Sequence, residues 1–156
     1  MDLRIVVADD HHVVREGIRT ILEARSGWEI CGEASTGQEA VRLTLALKPD
    51  IVIMDLTMPE LSGIEATAQI TAMDPTVKVL IFSMHNPSLL PDSVRLSGAR
   101  GYVVKNRAAR DLIQAIECLA AGRTFFEPGF TYSAGPHGAA GGNGGPVTMF
   151  FRQPAE

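Results

Sequence analysis

Three short stretches of the chain are apolar at every position, and they limit the possible folds more than any other feature. They are centred on Ile5, Ile53 and Ile81. A strand with one wet face alternates polar and apolar residues, whereas a strand of a parallel sheet covered by helices on both faces is apolar throughout. We therefore predict a parallel β-sheet with helices packed on both of its sides.

Helical patterns follow the strands, so strand and helix alternate five times. The predicted strands are LRIVVAD, WEICGEA, DIVIMD, KVLIFS and GYVVK, and the predicted helices are VVREGIRTILEA, GQEAVRLTLALK, GIEATAQITAMD, LPDSVRLSG and RDLIQAIECLAAG. Apolar residues in the first and last helices recur at the spacing of one helix face. Pro87 and Pro91 crowd the fourth helix, which we expect to begin near Pro91 and to be short.

Length and composition indicate one globular domain. The chain has 156 residues, 46% of them hydrophobic, and a net charge of -4, which offers no electrostatic footprint for nucleic acid or an acidic membrane. We see no signal segment and no apolar run of bilayer length, so we expect a cytoplasmic protein. Cys31 and Cys118 match no metal-binding spacing and are predicted to be buried free thiols.

From Glu127 onward Gly, Pro and Ala dominate the composition and no periodicity is present. We therefore assign one domain to residues 1–126 and predict that residues 127–156 are a mostly disordered tail. Residues 147–151, VTMFF, are the exception, because they are apolar enough to dock on a surface or to associate with another copy.

Polar side chains stand at the ends of four predicted strands. Asp9 and Asp10 end the first strand, Asp55 the third, Ser83 the fourth and Lys105 the fifth. These ends meet at one edge of a parallel sheet, where ligands collect. Taken singly, the aspartates could cap a helix or turn, the serine could be a turn residue and the lysine a surface residue. Three carboxylates together repel one another unless a cation lies among them, and hard oxygen ligands suit Mg²⁺.

The stretches VVADDHHVVREG, IVIMDLTMPELSG, VLIFSMH and GARGYVVKN resemble the receiver domain of two-component response regulators, specifically of the NarL/FixJ (LuxR-type) branch. The resemblance covers about residues 1–126. It implies an α/β fold of the flavodoxin-like kind, with a doubly wound, five-stranded parallel sheet of order 2-1-3-4-5. Five helices would complete a three-layer α/β/α arrangement.

The resemblance also implies a set of metal ligands and a cofactor, Mg²⁺. Asp55 and Asp10 would bind the ion directly, and Asp9 would act mostly through metal-bound water. The backbone carbonyl of Thr57 would complete the protein's share of the coordination shell. Pro59 and Gly63 match the turn that follows the acceptor.

The same resemblance implies the groups that handle the phosphoryl group. Asp55 would be the phosphoacceptor, and a carboxylate fixed beside Mg²⁺ and Lys105 needs little further activation for such transfer. Ser83 matches the hydroxyl that moves to the phosphoryl oxygens, Lys105 the cation that pairs with them, and Tyr102 the aromatic residue that switches with Ser83. These movements would be a shift of population between two packings.

Histidines lie close to the predicted site. His11 and His12 follow the acid pair, and we interpret them as solvated surface residues. His85 lies two residues after Ser83 and is a candidate polar neighbour that tunes attack of water on the acyl phosphate.

The expected partners follow from the resemblance. A sensor histidine kinase, or a small acyl phosphate, would supply the phosphoryl group, and a downstream protein or a second copy of the chain would receive the signal. Regulators of this branch usually continue into a helix-turn-helix domain, which the Gly-rich tail cannot form. We therefore expect neither direct nucleic-acid binding by this chain nor membrane association.

Three alternatives remain. The chain could be a LuxR-type DNA-binding transcriptional regulator that lacks its output domain, or a degenerate receiver kept as an interaction module, although every phosphorylation group is present. It could also be a phosphatase with an aspartyl nucleophile, as in haloacid-dehalogenase-like enzymes. That chemistry needs a second aspartate two residues after Asp55, where this chain has Thr57. We thus predict no enzyme activity beyond the chain's own phosphorylation and dephosphorylation.

Overall fold

A computed structural model describes residues 2–85, 89–90, 92–126 and 131–132. The strands within these residues are β1 Leu3–Ala8, β2 Trp28–Ala34, β3 Ile51–Met54, β4 Lys78–Ser83, β5 Leu89–Leu90, β6 Gly101–Val104, β7 Phe125–Phe126 and β8 Thr131–Tyr132. The helices are α1 His12–Glu23, α2 Gly37–Leu47, α3 Gly63–Met73, α4 Asp92–Ser97 and α5 Ala108–Ala120, with a 3-10 turn at Lys105–Arg107 before α5.

The main sheet is parallel and has the order β2-β1-β3-β4-β6-β7. The predicted order 2-1-3-4-5 is confirmed for its first five members, because β6 is the fifth of the predicted strands. The strand count was wrong, since β7 adds a sixth strand that pairs with β6. A strand of two residues is too short to show a period in the sequence. The sequence feature that indicates β7 is Gly122, at φ 81°, which ends α5 and lets the chain return to the sheet.

Helices cover both faces of the sheet, as the continuously apolar strands predict. One hydrophobic cluster joins the sheet to α1 and α5 through Ile18, Leu22, Leu112 and Ile116. The other joins it to α2, α3 and α4 through Ala40, Ala66, Ile70 and Val94. The three-layer α/β/α architecture is therefore confirmed.

The helix after β4 is the shortest of the five in the described residues. It begins at Asp92, directly after Pro91, and has six residues, as predicted from the prolines. The preceding β5 pairs in parallel with β8, so that Leu89 lies opposite Thr131. Thr131 and Tyr132 fall within the stretch predicted to be a tail. The rest of residues 127–156, including the apolar stretch at 147–151, lies outside the described residues.

The two cysteines are free thiols, as predicted, but they are half-buried and not fully buried. Burial raises the pKa of both the Cys31 and the Cys118 thiol. Neither thiol is therefore activated as a nucleophile. In the part of the chain that the structure describes, no helix combines the length and the apolarity needed to cross a bilayer.

Candidate functional site

Asp9 is held at the end of β1 by contacts on both its backbone and its side chain. Its residue surface is 1% exposed, and its backbone N–H donates to the carbonyl of Ala34 at 2.9 Å. The Oδ1 atom accepts a hydrogen bond from the backbone N–H of His11 at 2.9 Å, and Oδ2 lies 2.6 Å from Nζ of Lys105. The carboxylate therefore has a fixed orientation toward the edge of the sheet.

Asp10 points to a more exposed position beside Asp9. The N-cap of α1 is His11, whose side chain makes no capping hydrogen bond, and Asp10 precedes it. The capping alternative for Asp10 is therefore wrong. Its Oδ1 atom lies 3.0 Å from Nδ1 of His11, so the second acid faces the same cluster as the first.

Asp55 is fixed by the close approach of the chain on both sides of it. Its backbone N–H donates to the carbonyl of Ala8 at 2.9 Å, which continues the ladder between β1 and β3. A Cβ atom on Gly63 would lie 1.9 Å from the carbonyl oxygen of Asp55, so only glycine permits α3 to begin there. Ser62 caps α3 by accepting from the N–H of Glu65. The loop after Asp55 is thus closed tightly behind the carboxylate.

Lys105 brings its ammonium group between the two buried carboxylates. Nζ lies 2.6 Å from Asp9 and 3.3 Å from Oδ1 of Asp55, and it stands 5.9 Å from the centre of the Phe82 ring. The lysine side chain is 8% exposed, so this pairing is shielded from solvent. One ammonium charge is shared by two carboxylates.

The charge balance at Asp55 is unfavourable for the ionised carboxylate. Burial raises the pKa of Asp55, and the nearby charge of Asp9 raises it further. Lys105 and a hydrogen bond from the backbone N–H of Thr57 lower it without cancelling these effects. Because three carboxylates and one lysine meet at this edge, negative charge exceeds positive charge there, which favours binding of a cation.

A cluster of possible ligand atoms occupies this edge. The carboxylates of Asp9, Asp10 and Asp55 and the imidazole of His11 each offer one atom, and these atoms all lie within 4.8 Å of one another. Oxygen donors of this kind fit Mg²⁺. Thr57, the other predicted ligand, is placed beside Asp55 through its backbone N–H.

The predicted switch residues lie together on the neighbouring strands. The Ser83 hydroxyl accepts from the backbone N–H of His85 at 3.1 Å, and the Tyr102 hydroxyl donates to the His85 carbonyl at 2.7 Å. Tyr102 is 1% exposed, so its ring points inward. Burial raises the pKa of the Tyr102 phenol, a hydrogen bond with Ser83 lowers it, and the charge of Asp55 raises it. The two hydroxyls and the main chain of His85 therefore form one unit close to Asp55.

Residues that the sequence did not single out support the acid pair. Arg15 in α1 donates from a guanidinium nitrogen to the carbonyl of Asp9 at 2.6 Å, and its Nε lies 3.3 Å from Oε1 of Glu33. Arg19 forms an ion pair with the other oxygen of Glu33. The position of Glu33 near Asp9 could be predicted from the sequence, because β2, which carries Glu33, is predicted to lie next to β1.

His11 has an exposed side chain, as predicted, but it also contacts the acid pair of Asp9 and Asp10. Its Nδ1 atom lies 3.0 Å from Asp10 and 3.3 Å from Asp9, although much of the ring is exposed. His12, in contrast, contacts Glu16 at 3.1 Å on the surface of α1. Position in the sequence does not show which of the two histidines contacts the acids, because both follow Asp9 and Asp10.

Comparison with known proteins identifies relatives of the whole folded region. Residues 5–117 match the family model of the response regulator receiver domain. The chain is 35% identical over 131 residues to the transcriptional regulatory protein DegU of Brevibacillus brevis, covering 84% of this chain and 56% of DegU. It is 37% identical over 123 residues to the response regulator UvrY of Escherichia coli strain K12, covering 79% of this chain and 56% of UvrY. The chain thus spans little more than half the length of these relatives.

Solved structures give the same result. A two-component response regulator of the LuxR family from Aurantimonas sp. SI85-9A1 superposes with a TM-score of 0.74 at 43% identity, over 80% of this chain and 89% of that one. The isolated REC domain of RcsB from Salmonella enterica serovar Typhimurium, determined with the phosphomimetic BeF3-, superposes with a TM-score of 0.74 at 27% identity. That match covers 83% of this chain and 96% of the other.

Proposed function

The chain belongs to the response regulator receiver domains, in the NarL/FixJ (LuxR-type) branch, and we propose that it is a switch whose Asp55 accepts a phosphoryl group from a sensor histidine kinase. Domains of this family serve in two-component signalling and are phosphorylated by histidine kinases. The observation that carries the proposal is the buried carboxylate of Asp55, with Nζ of Lys105 at 3.3 Å and with ligand atoms of Asp9 and Asp10 within 4.8 Å. This arrangement suits a nucleophile that receives an anionic group.

The transfer step requires no proton from Asp55, because its carboxylate attacks as an anion. A carboxylate oxygen forms a bond to phosphorus while the bond from phosphorus to the donor's imidazole nitrogen breaks. The imidazole leaves with the electron pair, and the product is an acyl phosphate on Asp55. Lys105 offsets the charge of the transferred oxygens, and the rigid end of β3 holds the nucleophile in position.

Mg²⁺ fits the donor set, because oxygen atoms of three carboxylates converge where positive charge is lacking. Asp10 and Asp55 would hold the ion directly, Asp9 through water, and the carbonyl of Thr57 would join them. The bound ion would neutralise part of the phosphoryl charge. The chain's own residues position the acceptor and exclude solvent from it.

The output of the switch starts at the hydroxyl groups of Ser83 and Tyr102. A phosphoryl group on Asp55 adds negative charge and acceptor oxygens beside Ser83 and Tyr102. The Ser83 hydroxyl would turn toward these oxygens and give up its bond from His85. That exchange would favour another packing of β4, α4 and β6, and a downstream protein or a second copy would read this face.

The DNA-binding alternative has a specific observation behind it, because the relative DegU is described as a transcriptional regulatory protein. We propose that this chain acts in the cytoplasm by protein contact, without binding nucleic acid directly or associating with membranes. A gel shift with the purified chain and genomic DNA fragments tests this choice. A phosphorylation-dependent shift would favour the DNA-binding role. The phosphatase alternative gains no support, because Thr57 occupies the position of the acid that it needs.

The test of the proposal is intact-mass spectrometry after incubation with acetyl phosphate. We expect the protein to gain one phosphoryl group with Mg²⁺ present and none after chelation of the metal. Asp55→Asn should gain none, whereas Asp2→Asn, which changes an exposed aspartate outside the site, should behave as the wild type. Phosphorylation of Asp55→Asn would overturn the assignment of the acceptor.

A further inference from the structure

His11 places a nitrogen atom among the oxygen atoms of the acid cluster. Nδ1 lies 3.0 Å from Oδ1 of Asp10 and 3.3 Å from Oδ1 of Asp9. Lys105 takes the other oxygen of Asp9, Oδ2, at 2.6 Å. Asp9 therefore contacts Lys105 through one carboxylate oxygen and the imidazole of His11 through the other.

These separations are those of hydrogen bonds or ion pairs between the imidazole and the carboxylates, and they also match the separations between ligands of one metal ion. Metal–ligand distances near 2.1 Å place adjacent ligands of an octahedral ion about 3.0 Å apart. The distances from His11 to both acids fall close to this value, and the atoms of the full set of four lie within 4.8 Å of one another. A small closure of the cluster around an ion would bring every donor into its shell.

The neighbouring histidine shows that sequence proximity alone does not bring an imidazole into the cluster. Nε2 of His12 lies 3.1 Å from Glu16, and its Nδ1 lies 3.4 Å from a guanidinium nitrogen of Arg15. His12 therefore contacts Arg15 and Glu16, which lie one turn further along its own helix. His11 contacts the acids because it is the N-cap of α1, with its backbone N–H bound to Asp9.

We propose that His11 is a ligand of the metal site and that it confers affinity for transition-metal ions of the Co²⁺ and Zn²⁺ class. The inference rests on the proposed function for its carboxylate ligands. Imidazole nitrogen suits Co²⁺ and Zn²⁺, whereas Mg²⁺ takes oxygen donors and retains water. The site thus has two coordination modes, one of oxygen donors for Mg²⁺ and one that includes His11. A transition-metal ion in the second mode competes with Mg²⁺ for the same carboxylates.

The general order of metal affinities already favours transition ions at any site with nitrogen or oxygen donors, so tight binding alone does not test this proposal. Dependence on His11 does. We would titrate the untagged, metal-free protein with Co²⁺ and separately with Mg²⁺, following heat and, for Co²⁺, the visible absorption bands of the ion. His11→Ala should weaken Co²⁺ binding by at least about tenfold and change the absorption bands, with Mg²⁺ affinity within about twofold of wild type.

His12→Ala is the matched control and should leave both affinities and the Co²⁺ spectrum unchanged. Asp10→Asn should weaken the binding of both ions. If His11→Ala binds Co²⁺ with wild-type affinity and spectrum, the proposal is overturned. It is also overturned if His11→Ala loses affinity for Co²⁺ and Mg²⁺ equally, since that result assigns His11 a structural role.

The proposed function is tested separately in the same preparations. Mg²⁺-dependent phosphorylation of Asp55 together with His11-independent Co²⁺ binding would remove the present inference and leave the function intact. Co²⁺ binding that depends on His11 without any phosphorylation of Asp55 would do the reverse.

Discussion

Two adjacent parts of the same sheet edge are built from different interactions. The acid edge consists of Asp9, Asp10, Asp55 and Lys105, and the hydroxyl edge consists of Ser83, His85 and Tyr102. Ion pairs and backbone ladder bonds fix the acid edge, with a lysine shared by two buried carboxylates. Neutral hydrogen bonds connect the hydroxyl edge, and two of them pass through the main chain of His85.

The difference indicates a division of labour within the site. Phosphoryl transfer needs a nucleophile and its counter-charges in fixed positions. A switch needs a part of low local stability that can adopt a second arrangement. The helix α4 lies between His85 and Tyr102 in the sequence. It has six residues, so few hydrogen bonds of its own stabilise it. We therefore expect substitutions at the acid edge to affect stability or chemistry, and those at the hydroxyl edge to affect the response.

The largest effect should come from Gly63→Ala, which tests how tightly the acid edge is closed. The new methyl group would lie 1.9 Å from the carbonyl oxygen of Asp55, so the loop must move. We expect a loss of about 3 kcal/mol in the free energy of unfolding, measured with urea, and slower phosphorylation of Asp55.

Gly17→Ala is the matched control, because a Cβ there meets no described atom within 4 Å and the residue lies inside α1. It should stabilise the protein by about 0.5 to 1 kcal/mol. Similar stabilities for the two alanine variants would mean that the loop behind Asp55 is not closely packed.

The next largest effect should come from Arg15→Met, which removes the charged hydrogen bond to the backbone of Asp9. We expect a loss of about 2 kcal/mol, because the Asp9 carbonyl loses its partner and Glu33 keeps only Arg19. Arg19→Met serves as the control. Arg19 is more exposed than Arg15, so its ion pair with Glu33 should contribute less than about 1 kcal/mol to the free energy of unfolding. Equal losses in denaturant unfolding would show that Arg15 acts on Glu33 and not on the acid edge.

A smaller effect should follow from Tyr102→Phe at the hydroxyl edge. The phenylalanine keeps the buried ring and loses the hydrogen bond of 2.7 Å to the His85 carbonyl, at a cost of about 1 kcal/mol. Phosphorylation by acetyl phosphate should proceed at nearly the wild-type rate. A tenfold slower gain of the phosphoryl group would break the distinction between the two edges.

The smallest effect on stability should be that of Asp55→Asn, and it should depend on pH. Burial raises the pKa of Asp55 in the folded protein above the ordinary value of 3.8, so the ionised carboxylate destabilises the fold above its folded pKa. Asp55→Asn should therefore be more stable than wild type at neutral pH. The difference should shrink as the pH falls through the folded pKa toward 3.8.

Asp74→Asn provides a control of the opposite sign. Hydrogen bonds from the side chain and the backbone N–H of Thr76 lower the pKa of Asp74, so its carboxylate stabilises the fold above pH 3.8. Asp74→Asn should be less stable than wild type at neutral pH and should approach it as the pH falls through the lowered folded pKa. Unfolding curves collected over a series of pH values distinguish the two signs.

Much of the fold follows from local patterns. Continuously apolar strands predict helices on both faces, and the ends of these strands predict that Asp9, Asp55, Ser83 and Lys105 lie at one edge. The structure places these residues at that edge. Their functional roles stay predictions.

Contacts between elements distant in sequence could not be predicted in the same way. The bond from Arg15 to Asp9 depends on how α1 packs beside β2, and the direction of each histidine depends on where α1 begins. The strand β7 has two residues and no period, so Gly122 indicates that the chain turns back after α5, and the pairing with β6 identifies the strand. These features depend on tertiary geometry at the level of single side chains.

Hydrogen exchange followed by mass spectrometry would test most directly whether the two edges respond differently to phosphorylation. The protein would be compared before and after incubation with acetyl phosphate and Mg²⁺, beside Asp55→Asn treated in the same way. We expect exchange to change in residues 83–85 and 92–104 and to change little in residues 3–8 and 51–54. Changes confined to β1 and β3, with none around α4 and β6, would contradict the account.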